Sequence, residues 1–394
     1  MDLFEKARQF IVRPREAKAA GVYPYFLPLD DTEGTEVTIY GKKIIMVGSN
    51  NYLGLTTHPK VREAAIEAIK RYGTSCTGSR FLNGNMRLHL EAEERLAAFV
   101  GKEAACMFAT GMQSNLGAIS CLLGRDDVAI IDKDDHASIV DAVRLGYGEM
   151  RRFVHSDLSS LERQLAAVPD KSGILVVVDG VYSMGGDIAP LPQIVEMCKK
   201  YGARLYVDDA HSLGVLGPQG RGTAAHFGLT DQVDIIMGTF SKSFASIGGF
   251  VAGDADTMEY VMHTARSMIF SASITPAQVA AAMAALEIMQ CEPERIDRLW
   301  QNTKKMREGL QSMGIDTGLS ETPVIPIMIG DDDRTIMLWK LLFDEGVYTN
   351  AVLPPGVPPN KSLLRTSYMA THTDAQLDRV LDAFQKIGKQ VGLI

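Results

Sequence analysis

Cysteine is scarce in this 394-residue chain. The five residues Cys76, Cys106, Cys121, Cys198 and Cys291 are odd in number and widely spaced, with no C-x-x-C pair. That pattern excludes a disulfide framework, argues against a metal site and fits a reducing compartment. Surplus positive charge is missing too, since 40 Lys+Arg against 48 Asp+Glu leave −8. Such a balance argues against a nucleic-acid surface or a polybasic membrane patch, while leaving room for a local basic pocket. No apolar run approaches the roughly 18 residues a membrane span needs, so any membrane contact is expected to be peripheral. The N-terminal Met1-Asp2-Leu3-Phe4-Glu5-Lys6 carries charge at once and does not read as a secretory signal. The expected location is cytoplasmic. Internal repeats and low-complexity segments are also missing.

What remains is an ordinary globular balance, 46% hydrophobic and 22% charged. The length exceeds one ordinary core, so two subdomains are expected. Residues 2–20 mix charges with Leu3, Phe4, Ala7, Phe10 and Ile11 and predict an amphipathic helix. Glu36–Tyr40 and Ile44–Val47 flank Gly41-Lys42-Lys43 and predict a hairpin. His58-Pro59 opens a helix through Tyr72 that Gly73 stops. From about Ala105 the rhythm becomes strand then helix. Strands are expected at 105–109, 128–131, 174–178 and 205–208, and helices at 112–123, 137–145, 158–167 and 191–201. That alternation predicts a largely parallel sheet with helices on both faces, where ligands bind beyond the carboxyl ends of the strands. Asp179, Asp208 and Thr239 fall at such ends. Past Pro276 come two helices and then short mixed elements, read as a smaller α+β domain. The expected boundaries are 1–48 for an N-terminal helix and β arm, 49–285 for the large domain and 286–394 for the small one.

The chemistry centres on Gly238-Thr239-Phe240-Ser241-Lys242-Ser243, a small-residue turn between the apolar runs 233–237 and 250–252. Upstream, Leu205-Tyr206-Val207-Asp208-Asp209-Ala210-His211 ends an apolar strand in two acids and a histidine. A solvated lysine is the ordinary case, but glycines and core strands on both sides hold this one where a ligand can approach. A carboxylate and a lysine so placed are what pyridoxal 5'-phosphate (PLP) requires. The amine forms a Schiff base with its aldehyde, and the carboxylate pairs with its ring nitrogen. Thr110-Gly111-Met112 turns from strand to helix and offers backbone N–H groups to a phosphate. Arg365, inside the apolar strand Leu363–Ser367, offers a planar cationic fork to a carboxylate; an ion pair within the fold is the alternative.

These stretches resemble the α-oxoamine synthases, the acyl-CoA-dependent branch of fold-type-I PLP enzymes. The similarity runs from Gly21-Val22-Tyr23-Pro24-Tyr25-Phe26 to Met369-Ala370-Thr371-His372-Thr373. It implies an aspartate-aminotransferase-like α/β fold, with a large mixed, mostly parallel sheet domain and a smaller α+β C-terminal domain. It implies Lys242 as the Schiff-base lysine, Asp208 as partner of the ring nitrogen and His136 stacked on the ring. It places His211 and Ser183 near the 3′ oxygen. Gly111, Met112, Thr239 and Ser241 are implied at the phosphate, with Ser271 supplied across a homodimer. Asn50 is expected to assist Arg365 with the amino acid. Arg80, in Gly78-Ser79-Arg80-Phe81-Leu82-Asn83-Gly84, is expected near the acyl-CoA entrance, with an ordinary turn as the competing reading. The family members most like this chain join L-serine to a long-chain acyl-CoA with loss of CO2. Glycine with acetyl-CoA, or alanine with pimeloyl-CoA, would use the same residues. A non-catalytic subunit would lack Lys242, and an aminotransferase would not need CoA. In one respect the chain departs from its kind: Leu353 stands before Pro354-Pro355, where some soluble members have arginine.

Overall fold

The computed structural model describes residues 2–394, which fall into two compact units. One is Asn50–Leu299; the other joins the residues through Ser49 to Trp300–Ile394.

Seven strands form the sheet of the first unit. In spatial order they are Ala104–Phe108, Gly249–Gly253, Ile235–Thr239, Arg204–Asp208, Ile174–Asp179, Val128–Asp132 and Glu149–Phe153. Gly249–Gly253 runs antiparallel to both its neighbours, and the pairs among the last five strands are parallel. The strands are near-continuous apolar runs such as Ile174-Leu175-Val176-Val177-Val178, as expected where helices cover both faces. Four expected helices form at Gly111–Leu122, Ala137–Leu145, Leu158–Ala166 and Leu191–Tyr201. Glu149–Phe153 is an edge strand that periodicity does not announce, because Glu149, Arg151 and Arg152 interrupt it.

The helix Arg87–Val100 is likewise unannounced, since its buried face includes His89 and Glu93. Glu93 explains Arg80. The Arg80 guanidinium donates from Nη1 and Nη2 to the two Glu93 oxygens, each at 2.8 Å, and from Nε to Asn85 Oδ1 at 2.8 Å. Its side chain is 4% exposed and that of Glu93 is 8%. Glu93 also accepts the Met107 N–H at 2.7 Å, fastening the pair to the sheet. Arg80 is thus a buried cation held within the fold. The competing reading of an ordinary turn fits the backbone, where the Leu82 and Gly84 N–H groups donate to the Ser79 carbonyl at 3.2 and 2.9 Å.

In the second unit, Glu36–Ile39 and Lys42–Met46 pair antiparallel with Ile39 opposite Lys42. Tyr40 (φ 51°) and Gly41 (φ 72°) therefore make the turn, and the lysines expected there lie in the strand. Lys42–Met46 pairs on its other side with Val347–Tyr348, which ties the N-terminal arm to the C-terminal residues. The arm and small domain expected as separate pieces form one unit, and the sheet unit extends past residue 285 to Leu299. The expected helix over residues 2–20 is two, Glu5–Phe10 and Val12–Ala19, with no buried residue. Pro14 is the reason, since its ring would clash with the Phe10 carbonyl in a continuous helix. Arg365 is buried in Ser362–Ser367, the middle strand of a three-stranded sheet with Val324–Gly330 and Asn350–Val352.

Glu93→Ala should destabilise the fold by about 3–5 kcal/mol, the cost of leaving a buried guanidinium unpaired. Urea denaturation checks this, and a loss under about 1 kcal/mol would mean that water reaches Arg80.

Candidate active site

At the carboxyl ends of the central strands lies a cavity of about 290 Å³, near the lower limit for small-molecule sites. Eight of the expected residues line it: Gly111, Met112, His136, Asp208, His211, Thr239, Ser241 and Lys242. The lining does not include Ser183, Ser271, Asn50, Arg80 or Arg365. Ser183 sits two residues past the lining residue Val181. Ser271 accepts a hydrogen bond from Gln113 Nε2 at 3.1 Å. Asn50 is half-buried at the start of this unit, and Arg365 belongs to the other.

Lys242 is carried by the connection between Ile235–Thr239 and Gly249–Gly253. Phe240 and Phe244 flank it in sequence, are fully buried, and pack against Phe250 with ring centroids 5.9 and 6.4 Å away. Burying each ring contributes on the order of 1.5–3 kcal/mol, and this anchors the turn. The Phe240 N–H donates to the Gly248 carbonyl and the Ser246 N–H to the Phe240 carbonyl, both at 2.9 Å. Ser246 Oγ donates to the Gln278 carbonyl at 2.7 Å.

The Asp208 carboxylate is gripped from two sides. Asn115 Nδ2 donates to one oxygen at 2.7 Å, and the Ala210 N–H donates to the other at 2.9 Å. Asn115 also donates to Ser138 Oγ at 2.8 Å and accepts the Tyr206 hydroxyl at 2.7 Å. Ser138 Oγ lies 2.7 Å from His136 Nδ1, so Asn115 joins the acid to the imidazole. The sequence reading missed Asn115. An amide one turn after Gly111, on the same face of the helix, is the signal that could have found it. Tyr52 was missed as well; its hydroxyl is 2.7 Å from His211 Nδ1.

His136 also caps the helix Ala137–Leu145, its Nδ1 accepting the Ser138 N–H at 3.2 Å. An accepting Nδ1 leaves the ring proton on Nε2. The residue is exposed at the cavity wall, yet enough protein surrounds the ring that burial lowers its pKa. The Asp208 charge opposes that shift and the Lys242 charge adds to it. The ring is neutral at pH 7.

Gly111 and Gly249 bring helix and sheet together at the cavity floor. A Cβ on Gly111 would lie 2.5 Å from Thr239 Oγ1, and one on Gly249 would lie 2.7 Å from Gly111 Cα. Thr110 caps this twelve-residue helix by accepting the Gln113 N–H at 3.1 Å. The first-turn N–H groups of Gly111 and Met112 have no helical acceptor and point beyond the end. Thr239 Oγ1 and Ser241 Oγ, 3.0 Å apart, stand beside them. The result is an anion cradle of amides and hydroxyls at a helix N-terminus.

Asp179 was expected only as a strand end. It lines the cavity beside Asp208, its register partner, and its Oδ1 is buried without a hydrogen-bond partner. Burial, then the Asp208 charge, raises its pKa well above the ordinary value. Asp209 turns the other way, with one oxygen accepting the Thr223 N–H at 3.0 Å.

PLP fits these residues. The cradle suits its phosphate, Asp208 a protonated ring nitrogen, the neutral His136 a ring face and Lys242 an aldehyde. The unpartnered Asp179 oxygen leaves polar capacity for a ligand.

The comparisons agree. The chain belongs to the class I and II aminotransferase family, whose model matches residues 42–384. It has the fold-type-I architecture of PLP enzymes, with PLP as cofactor. Within that family its likeness is to the serine palmitoyltransferases. It is 51% identical to the serine palmitoyltransferase of Sphingobacterium spiritivorum, over 95% of this chain and 94% of that protein. A solved serine palmitoyltransferase with a PLP internal aldimine is 39% identical over the whole of both chains, with a TM-score of 0.97. The 8-amino-7-oxononanoate synthase of Thermoanaerobacter pseudethanolicus is 43% identical over 96% of each chain.

Burial pushes the Asp209 carboxyl up to about 7 from an ordinary 3.8. A raised folded pKa adds stability that is fully present below the unfolded value and lost as pH rises through the folded one. Wild type should therefore lose stability relative to Asp209→Asn between pH 5 and 7, with the gap levelling off by about pH 8. Thermal melts across that range read it, and a gap that does not change with pH would count against the assignment.

Proposed function

We propose that this chain condenses L-serine with a long-chain acyl-CoA, palmitoyl-CoA, releasing CoA and CO2 and forming 3-oxosphinganine. One observation carries the reading. Lys242, Asp208 and His136 meet in a single cavity of a chain that is 51% identical to a serine palmitoyltransferase.

When bound, PLP supplies an aldehyde for an amine and a ring that withdraws electrons from the substrate Cα. Asp208, steadied by Asn115, holds a proton at the ring nitrogen. His136 lies against the ring face. Gly111, Met112, Thr239 and Ser241 hold the phosphate, and His211 and Ser183 hold the 3′ oxygen. Lys242 Nζ removes the Cα proton of serine and later returns one. Arg365 and Asn50 grip the serine carboxylate and fix which Cα bond is aligned for cleavage; orientation of this kind supplies much of the rate.

A homodimer and a cytoplasmic location belong to the same reading. Ser271 does not line this chain's cavity, as a residue serving the partner's site would not. Met112, Ile247 and Phe270, all exposed, offer apolar surface for a second copy. Five unpaired thiols fit a reducing compartment. Among the described residues no helix is long and apolar enough to cross a membrane.

The test is release of CoA thiol with serine, glycine or alanine against palmitoyl-, acetyl- or pimeloyl-CoA. Serine with palmitoyl-CoA should give the highest kcat/KM, and Lys242→Ala should cost a thousandfold or more, on the order seen when a nucleophile is removed. Alanine with pimeloyl-CoA in first place would overturn the substrate assignment. A wild-type rate in Lys242→Ala would overturn the site.

A further inference from the structure

Beside the cavity the polypeptide assembles a second set of charged groups that the proposed chemistry does not use. His155 follows the edge strand Glu149–Phe153. Its Nδ1 is 3.0 Å from Asp132 Oδ1 and its Nε2 is 3.0 Å from Asp187 Oδ2. The side-chain exposures are 25% for His155, none for Asp132 and 12% for Asp187. Both ring nitrogens therefore face carboxylate oxygens, an arrangement that only an imidazolium satisfies by donating twice. Burial alone would lower its pKa. The hydrogen bonds and charges of Asp132 and Asp187 outweigh that and raise it to about 10. The Tyr182 ring meets the imidazole edge-on, with centroids 4.4 Å apart.

The two carboxylates belong to different segments of the site. Asp132 ends the strand that leads to His136. It also accepts the Asp134 N–H at 2.9 Å and the Ser156 N–H at 3.0 Å. Asp135 continues the bracing, with one oxygen accepting the Asp132 N–H at 2.8 Å and the other the Asp179 N–H at 2.9 Å. Asp187 closes the loop that begins at Asp179 and carries Val181 and Ser183. There the Tyr182 N–H donates to the Asp187 carbonyl at 3.0 Å, and Val181 bridges Ile188.

We propose that His155 is a positioning residue: as an imidazolium it clasps the turn that presents His136 to the loop that presents Asp179 and Ser183, and so sets where the cofactor ring lies. This rests on the PLP reading above. Without the clasp, two carboxylates repel across the gap, and the cavity wall formed by Val181 and Asp179 separates from the His136 wall. The role depends on a charge able to donate in two directions, so a planar cationic side chain should serve and a neutral one should not.

The test compares His155→Gln, His155→Arg and Asp187→Asn with wild type. PLP dissociation constants come from titrating apoenzyme, followed by the visible absorbance and circular dichroism of the bound cofactor. His155→Gln should weaken PLP binding about tenfold, the loss of a charge-assisted hydrogen bond, and shift the visible dichroism. It should lower kcat more than it raises KM for the amino acid. His155→Arg should recover most of that loss, and Asp187→Asn should move the same way by less; the latter also reports on the clasp if His155→Gln does not fold. Wild-type PLP affinity and dichroism in His155→Gln would overturn the proposal, as would equal damage from Gln and Arg. Borohydride reduction of wild type checks the cofactor separately. A fixed adduct on Lys242 with an unaffected His155→Gln removes the clasp alone, whereas no adduct removes both readings.

Discussion

The site depends on the register of the parallel strands. Asp179 pairs with Asp208, and Asp208 with Met237, so neighbouring strands end at one level and deliver their next residues to one edge. Two acids delivered side by side into a buried edge cannot both carry charge cheaply. Burial and the Asp208 charge hold the Asp179 pKa well above its ordinary value, while Asp208 receives two N–H donors. The same register fixes which residues lie inside. Successive side chains on a strand face opposite ways, so Asp209 is sent into the fold and Asp208 into the cavity.

Around that edge, hydrogen bonding holds Asp208, His136 and His211 each through a second group. Asn115 holds Asp208 and, through Ser138, His136. Tyr206 holds Asn115, and Tyr52 holds His211. Hydroxyl and amide groups do this holding inside the cavity, where a further full charge would disturb the ring chemistry. Full charges do it just outside, where His155 lies between Asp132 and Asp187. Side chains locked by neighbours keep their geometry when a ligand arrives, which is what electrostatic preorganisation requires.

Much of this was legible in the sequence. Long strands without charges, the alternation with helices and the Gly-rich turn at Lys242 announce a parallel sheet and the end of it that binds. Eight of the expected residues do meet. What was not legible shares a cause: a partner distant in sequence decides it. Arg80 reads as an accessible cation until Glu93 is seen beneath it. Glu149–Phe153 reads as polar because an edge strand faces water on one side. Asn115, Tyr52 and His155 act through contacts 23 to 159 residues away, which no local pattern encodes. The N-terminal arm joins the C-terminal unit through a strand pair between Ile45 and Val347, also beyond local reach.

The division between what is rigid and what varies bears on substrate choice. An 8-amino-7-oxononanoate synthase is 43% identical to this chain over 96% of each, so overall likeness alone does not settle the substrate. Asp208 sits at a strand end, His136 at a helix N-terminus and Lys242 in the connection after a strand, where a small displacement would cost rate with every substrate. Discrimination therefore belongs to residues that can change without moving the sheet. Asn50 and the loop that Leu353 opens lie on irregular backbone, where such change is tolerated.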